Sequence, residues 1–118
     1  MLGYNKSMKK YLAIYLGTAS DTEKNTITPE QEKAMMEEWA KWSGEHAAAI
    51  VDPGTPLGKT KKVDATGITD TKNGMVVYTI VQAESHEAAA KIFENHPHVT
   101  FFLGTSIEVM ECLQMPGI

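Results

Sequence analysis

The sequence predicts an α+β domain, an antiparallel sheet with two helices on one face. Three observations carry this. Hydrophobic periodicity switches between strand and helix periods in the order β-α-β-β-β-α-β. The first strand is apolar on both faces, as a central strand should be. A capping residue stands ahead of each helical stretch. The 118 residues suffice for one compact domain. Residues 1–8 read as a short N-terminal arm and 9–118 as that domain.

The first strand runs from Lys9 to Gly17. Tyr11, Ala13 and Tyr15 point one way, and Leu12, Ile14 and Leu16 the other. Thr18 to Ile27 is polar and longer than a usual connection, which marks it as a lid or pocket rim. The first helix opens on Thr28-Pro29-Glu30-Gln31. Thr28 caps it, Pro29 takes the first helical position and Gln31 completes a capping box. It extends to about Ala48, with Gly44 weakening the last turn. Met35, Trp39, Trp42 and His46 form one stripe, widened by Met36 and Ala40. Glu30, Lys33, Glu37, Lys41 and Glu45 lie on the polar side.

Ala49 to Asp52 is a short strand that stops at Pro53-Gly54, and Thr55 to Gly58 is a loop. Lys59 to Thr69 reads as a polar edge strand. Asn73-Gly74 is the best hairpin signal and leads into Met75–Ala83, the clearest strand of the chain. Ser85 caps a second helix from His86 to about Asn95, with Ala88, Ala89, Ile92 and Phe93 inward. Pro97 blocks its continuation. Thr100 to Gly104 is an apolar connector. In the last strand, Thr105 to Leu113, Ile107, Val109 and Leu113 face one side and Glu108, Met110 and Cys112 the other.

Without one short extra strand, this is the split β-α-β, ferredoxin-like plan. Its helices cover one face of the sheet, yet the first strand is apolar on both. A second copy packed sheet to sheet would cover the open face, so the pattern predicts a homodimer.

Composition narrows the partners. Hydrophobic residues make up 42% and charged residues 22%, as in an ordinary globular protein. Net charge is −4, and all eleven basic residues are lysine. Nucleic-acid binders usually show a basic patch and arginine contacts, so nucleic acid is not an expected partner. Lys59, Lys61 and Lys62 read as a solvated face. Without arginine there is no bidentate clamp for a carboxylate or phosphate. An acidic ligand would fall to lysine, histidine or backbone donors, which favours flat, weakly charged ligands. The single cysteine, Cys112, reads as a buried thiol in a strand. No apolar run is long enough to cross a membrane, and residues 1–8 lack a signal-peptide core. The expected compartment is the cytoplasm.

Several short patterns follow one another in order: the opening strand Lys10–Tyr15, the Thr28-Pro29-Glu30 helix start and the Asp52-Pro53-Gly54 turn. After them come the Glu-Ala-Ala-Ala helix, the Asn95-His96-Pro97-His98-Val99 turn and the last strand Ser106–Met110. Together they resemble the YCII-related family of dimeric α/β-barrel proteins. The resemblance covers Lys9 to Leu113. It implies two ferredoxin-like subunits packed sheet to sheet into a barrel, with a pocket between helices and sheet in each. It also implies a His and an Asp in that pocket, catalytic in some members. The Asp slot, ahead of a proline after the second helix, here holds His96. The His slot in the first helix falls at about Glu37. The chain therefore carries an exchanged pair, Glu37 with His96, or no catalytic pair. The family branch with an Asp-Gly-Pro-Phe motif does not match.

The site residues can be weighed from their own chemistry. His96 and His98 flank Pro97 at the expected C-terminal end of the second helix, which would favour charged imidazoles. His96 then reads as a general acid/base or anion partner, and His98 as a ligand-binding residue. The competing reading is that both only terminate the helix. Glu37 acts only if it faces His96, where it would set the tautomer and raise the His pKa. Trp39 and Trp42 form either an aromatic wall for a flat ligand or core, with Trp39 the better placed for a ligand. Tyr15 borders the same region. Asp52 is a turn residue first and a pocket carboxylate second. His46 reads as packed or interfacial and His86 as surface. His-x-His alone does not make a metal site, which needs three or four converging ligands. The Pro53–Gly58 loop lacks the ending of a phosphate loop. Neither metal nor cofactor is expected.

Two functions of different class follow. In one, a homodimer binds a small, partly apolar molecule near Tyr15, Trp39 and His96 and performs acid/base chemistry of isomerase, lactonase or lyase type. In the other, the protein is a non-catalytic binding or accessory module; a structural remnant with no ligand is a third reading.

Overall fold

A computed structural model of the protein describes residues 8–17, 28–102 and 105–116. The expected N-terminal arm and the Thr18–Ile27 lid lie outside the described residues, apart from Met8. Nine elements follow in order: β1 Lys9–Leu16, α1 Pro29–Glu45, β2 Ile50–Asp52, β3 Thr60–Asp64, β4 Gly67–Thr71, β5 Met75–Ala83, α2 His86–Ile92, α3 Pro97–Phe101 and β6 Ser106–Glu111.

The main sheet has the order β2-β5-β1-β6, with β1 antiparallel to both neighbours. With α1 between β1 and β2, and α2 and α3 between β5 and β6, this is the ferredoxin-like arrangement. β1 is central, as its two apolar faces require. The pairs Tyr11–Val81 and Ala13–Thr79 fix one face, and Leu12–Ile80 and Ile14–Tyr78 the other. Tyr11, Ala13, Tyr15 and Val81 are buried beneath the helices together with Trp42, Ala89 and Phe93. Leu12, Ile14 and Ile80, on the opposite face, are only half-buried, and Met110 is exposed. Among the described residues the helices pack on the Tyr11–Tyr15 face of the main sheet.

The helix starts form as the sequence predicts. Thr28 Oγ1 accepts the Gln31 N–H at 3.1 Å, and Gln31 Oε1 accepts the Thr28 N–H at 2.8 Å. Ser85 Oγ accepts the Ala88 N–H at 3.0 Å. The helix ends differ. α1 stops at Glu45 rather than near Ala48, with His46 as its C-cap. Met36 and Ala40 are exposed and do not widen the buried stripe. α2 stops at Ile92, and Asn95 takes a left-handed φ of 60° that turns the chain. Pro97 then opens α3 instead of merely ending α2, because its missing N–H costs nothing at a first helical position.

The hairpin lies elsewhere than expected. Lys59–Thr69 is not one edge strand joined to β5 through Asn73-Gly74. It folds on itself as β3–β4, closed between Asp64 and Gly67, in a separate two-stranded sheet. Asp64 Oδ1 accepts both the Thr66 N–H at 2.9 Å and its hydroxyl at 2.6 Å, and this holds the turn. Asn73 Oδ1 accepts the Met75 N–H at 2.9 Å and directs the chain into β5. The sheet edge is made by β2. Cys112 is exposed just past β6, not buried within a strand, and Leu113 is exposed beyond it.

Candidate functional site

The site grows from the inward register of β1. Tyr15 is the last inward residue of that strand and is fully buried. α1 lays Trp39 and Trp42 over it, and α3 brings His96 and His98. Trp39 stacks on Tyr15, with ring centres 5.5 Å apart and planes 12° apart. His96 meets Trp39 and Trp42 edge-on, each at 4.5 Å, and Tyr15 edge-on at 4.9 Å. Phe93 closes the cluster, edge-on to Tyr15 at 6.0 Å. Trp42 Nε1–H donates to the Ile92 carbonyl at 2.9 Å, which ties α1 to the end of α2.

A directed hydrogen-bond chain crosses this aromatic shell. His96 is the N-cap of α3, and its Nδ1 accepts the His98 N–H at 2.9 Å. A cap acceptor cannot carry a proton, so the proton of a neutral ring sits on Nε2. Nε2–H donates to the Tyr15 hydroxyl at 3.3 Å. The tyrosine O–H then donates to Thr79 Oγ1 at 3.1 Å, and Thr79 donates to the Pro53 carbonyl, also at 3.1 Å. The chain begins on a backbone N–H and ends on a backbone carbonyl, so each direction is forced. Among the described residues no buried side-chain nitrogen or oxygen lacks a partner.

Electrostatics follow from burial. Burial first, then His98 and His46, pushes His96 from 6.5 down to about 3. His98 is also lowered by burial, opposed by its bond to the Leu16 carbonyl at 2.9 Å. Tyr15 is pushed up to about 12 by burial, against the Thr79 bond. The site is thus a neutral set of donors. The charge-favouring helix C-terminus expected for His96 and His98 is absent, because both sit at the opposite end of a different helix.

The structure brings Tyr15, Trp39, His96 and His98 together. Glu37 stays apart. It is exposed, two positions from Trp39 and so on the other side of α1, and no hydrogen bond or ion pair joins it to His96. Asp52 acts as a turn residue. Its Oδ1 accepts the Gly54 N–H at 2.8 Å and its Oδ2 the Tyr78 hydroxyl at 3.4 Å. His46 is half-buried against Trp42, and exposed His86 stacks on Tyr11 at 5.3 Å. Sequence reasoning missed Thr79. Its signal was a lone hydroxyl between Val77 and Val81 in the inward register of β5. Among the described residues no group of three or more His, Cys, Asp or Glu side chains could hold a metal ion, and no helix is long and apolar enough to cross a membrane.

No family model matches the chain, and no curated protein matches it. Among solved structures it is similar to 5-chloro-2-hydroxyhydroquinone dehydrochlorinase from Burkholderia phenoliruptrix AC1100, in complex with 2,5-dihydroxybenzoquinone. That pair is 19% identical over 84% of this chain and 90% of the other, with a TM-score of 0.49. It is also similar to a dimeric ferredoxin-like protein of unknown function from Thermobifida fusca. Identity there is 13% over 92% of this chain and 95% of the other, with a TM-score of 0.41. At these values neither likeness assigns a reaction to this chain.

Proposed function

We propose that this protein is a homodimer of the YCII-related kind that binds a small, flat, weakly charged molecule carrying a carbonyl or phenolic oxygen. His96 Nε2–H turns from Tyr15 to that oxygen as a neutral donor, the Tyr15 O–H joins it by leaving Thr79, Trp39 is the stacking wall, and the His98 backbone N–H holds His96. The observation that carries this reading is the buried chain from His96 through Tyr15 to Thr79, set within aromatic rings. A purely structural core would fill this volume with apolar side chains and avoid the desolvation of three polar groups. The Nε2–Oη separation of 3.3 Å lies beyond the usual N–H···O range, so exchanging this bond for a better-placed ligand oxygen costs little.

Any chemistry here is donation to an oxygen that gains charge, as in enolisation or ring opening. A neutral imidazole can serve as such an electrophile. Proton abstraction by His96 is disfavoured, since Nδ1 is committed to the cap. The second reading, a non-catalytic binding module, is favoured by one observation: every donor in the chain already has an internal acceptor. A thermal-shift screen of small phenols, lactones and carboxylates tests binding. A ligand should raise Tm in the wild type and lose that effect in Tyr15→Phe. Equal shifts in both proteins would remove the site from the proposal. Turnover of a bound ligand separates the enzyme from the module.

The dimer rests on the half-buried apolar residues Leu12, Ile14 and Ile80 and on exposed Met110, all on the sheet face away from the core. Sedimentation at micromolar concentration should give a dimer.

A further inference from the structure

We propose that the Nδ1 lone pair of His98 is the base of the site and takes a proton from the carbon beside the ligand's carbonyl; the inference rests on the binding reading above. Enolisation needs an acceptor for that proton as well as donors for the oxygen. Two imidazoles stand at the site, and each brings one lone pair when neutral. His96 uses its own on the His98 N–H, at 2.9 Å. His98 is bound through its other nitrogen. A carbonyl only accepts, so His98 Nε2–H donates to the Leu16 carbonyl at 2.9 Å, and the proton of the neutral ring sits there. Nδ1 is then the bare nitrogen, and among the described residues it has no hydrogen-bond partner.

The fold prepares this arrangement. The pairing of β1 with β5 slips between Tyr15 and Leu16, at the residue whose carbonyl holds His98. Such irregularities re-aim groups beside active sites. His98 is 5% exposed, and its burial favours the neutral ring, so the lone pair is present at neutral pH. The two nitrogens of an imidazole point apart, so with Nε2 on the strand Nδ1 turns away from it. Both imidazoles meet the Tyr15 ring edge-on, His96 at 4.9 Å and His98 at 5.4 Å between centres. The phenol that donates to the ligand thus touches the donor on one side and the acceptor on the other.

The step balances without a co-reactant. The C–H bond beside the carbonyl breaks, and its proton goes to His98 Nδ1. The electron pair forms a carbon–carbon double bond, and the carbonyl π pair moves onto the oxygen held by His96 Nε2–H and the Tyr15 O–H. The imidazolium keeps its Nε2–H on the Leu16 carbonyl, a bond that strengthens with the charge. Return of the proton to a different carbon completes an isomerisation. The substrate class is a flat cyclic ketone or unsaturated lactone with an acidic C–H beside its carbonyl.

Proton NMR in heavy water tests the base with two probes, β-tetralone and α-angelica lactone. The wild type should speed deuterium uptake beside the carbonyl. His98→Gln presents an amide N–H in place of Nε2–H and so keeps the Leu16 bond, but it has no basic nitrogen. It should lose the acceleration by about 100-fold or more while the probe still raises its Tm. A wild type that binds the probes without faster exchange, or a His98→Gln variant that exchanges as fast as wild type, overturns the base and leaves the binding reading standing. If neither probe raises the Tm of the wild type, the binding reading falls and the base with it. Nitrogen NMR of the wild-type imidazoles needs neither variant nor probe. The His98 proton should lie on Nε2, and a proton on Nδ1 would overturn the base.

Discussion

The backbone N–H of His98 donates to Nδ1 of His96 at 2.9 Å, and this one bond decides what His96 can do. It places the imidazole at the head of a helix, fixes its proton on Nε2 and aims that proton at Tyr15. The residue that the sequence marks as a charged general acid/base or anion partner is in the structure a neutral donor.

A pH dependence follows. His96 is held at about 3 in the folded protein, against about 6.5 when unfolded. The unfolded state therefore binds a proton that the folded state refuses, and stability falls as pH drops below the unfolded value. Its contribution is fully present above pH 6.5 and is lost progressively down to about pH 3. Between pH 7 and pH 5 the loss from His96 should be about 2 kcal/mol, with His98 adding in the same direction. Urea unfolding at both pH values measures it. His96→Asn keeps a good helix cap and removes the titration, so its loss over that range should be smaller. An equal loss in both proteins would place the proton uptake elsewhere.

The Tyr15–Thr79 bond predicts a coupling. Thr79→Val removes the acceptor of a buried phenol, and Tyr15→Phe removes the acceptor of His96 Nε2–H. Each should cost about 1–3 kcal/mol, the penalty for stranding a buried polar group. In the double variant one stranded group is gone, so the total should fall short of the sum by about 1 kcal/mol. Strict additivity would mean that the two hydroxyls do not bond in solution.

The parts of the fold legible in the sequence are those fixed by short-range chemistry. The two faces of β1 announce a central strand, and Thr28 and Ser85 announce helix starts, because each signal needs only its neighbours in the chain. The hairpin was not legible in the same way. Asn73-Gly74 is the stronger local turn signal, yet Asp64 gathers two Thr66 donors and closes the turn earlier. His96 was misplaced for a related reason. Pro97 stops one helix and starts the next with the same ring, and nothing local says which end His96 joins. Thr79 was hidden because its partners are far away in sequence.

The capping box gives a further stability test. Thr28→Ala removes the acceptor for Gln31 N–H and frees the Gln31 side chain, at a cost of about 1 kcal/mol. Thr28→Ser keeps the oxygen and should recover most of that loss. If both variants unfold at the same denaturant concentration, the box does not anchor α1.

Two glycines should respond to the same substitution with opposite signs. Gly54 has a φ of 75°, and a Cβ there would lie 1.6 Å from the Tyr78 carbonyl oxygen, which is backbone and cannot move aside. Gly54→Ala must therefore open the β2–β5 pairing and shift Pro53, whose carbonyl ends the Tyr15–Thr79 chain. The cost should exceed about 1 kcal/mol and be accompanied by weaker ligand protection. Gly44 lies inside α1 with nothing within 4 Å of a built Cβ. There alanine should stabilise by about 0.8–1 kcal/mol through helix propensity alone, without touching the site. Chemical unfolding of both variants measures the pair. Shifts in the same direction would mean that the close approach of Gly54 to Tyr78 does not exist in solution.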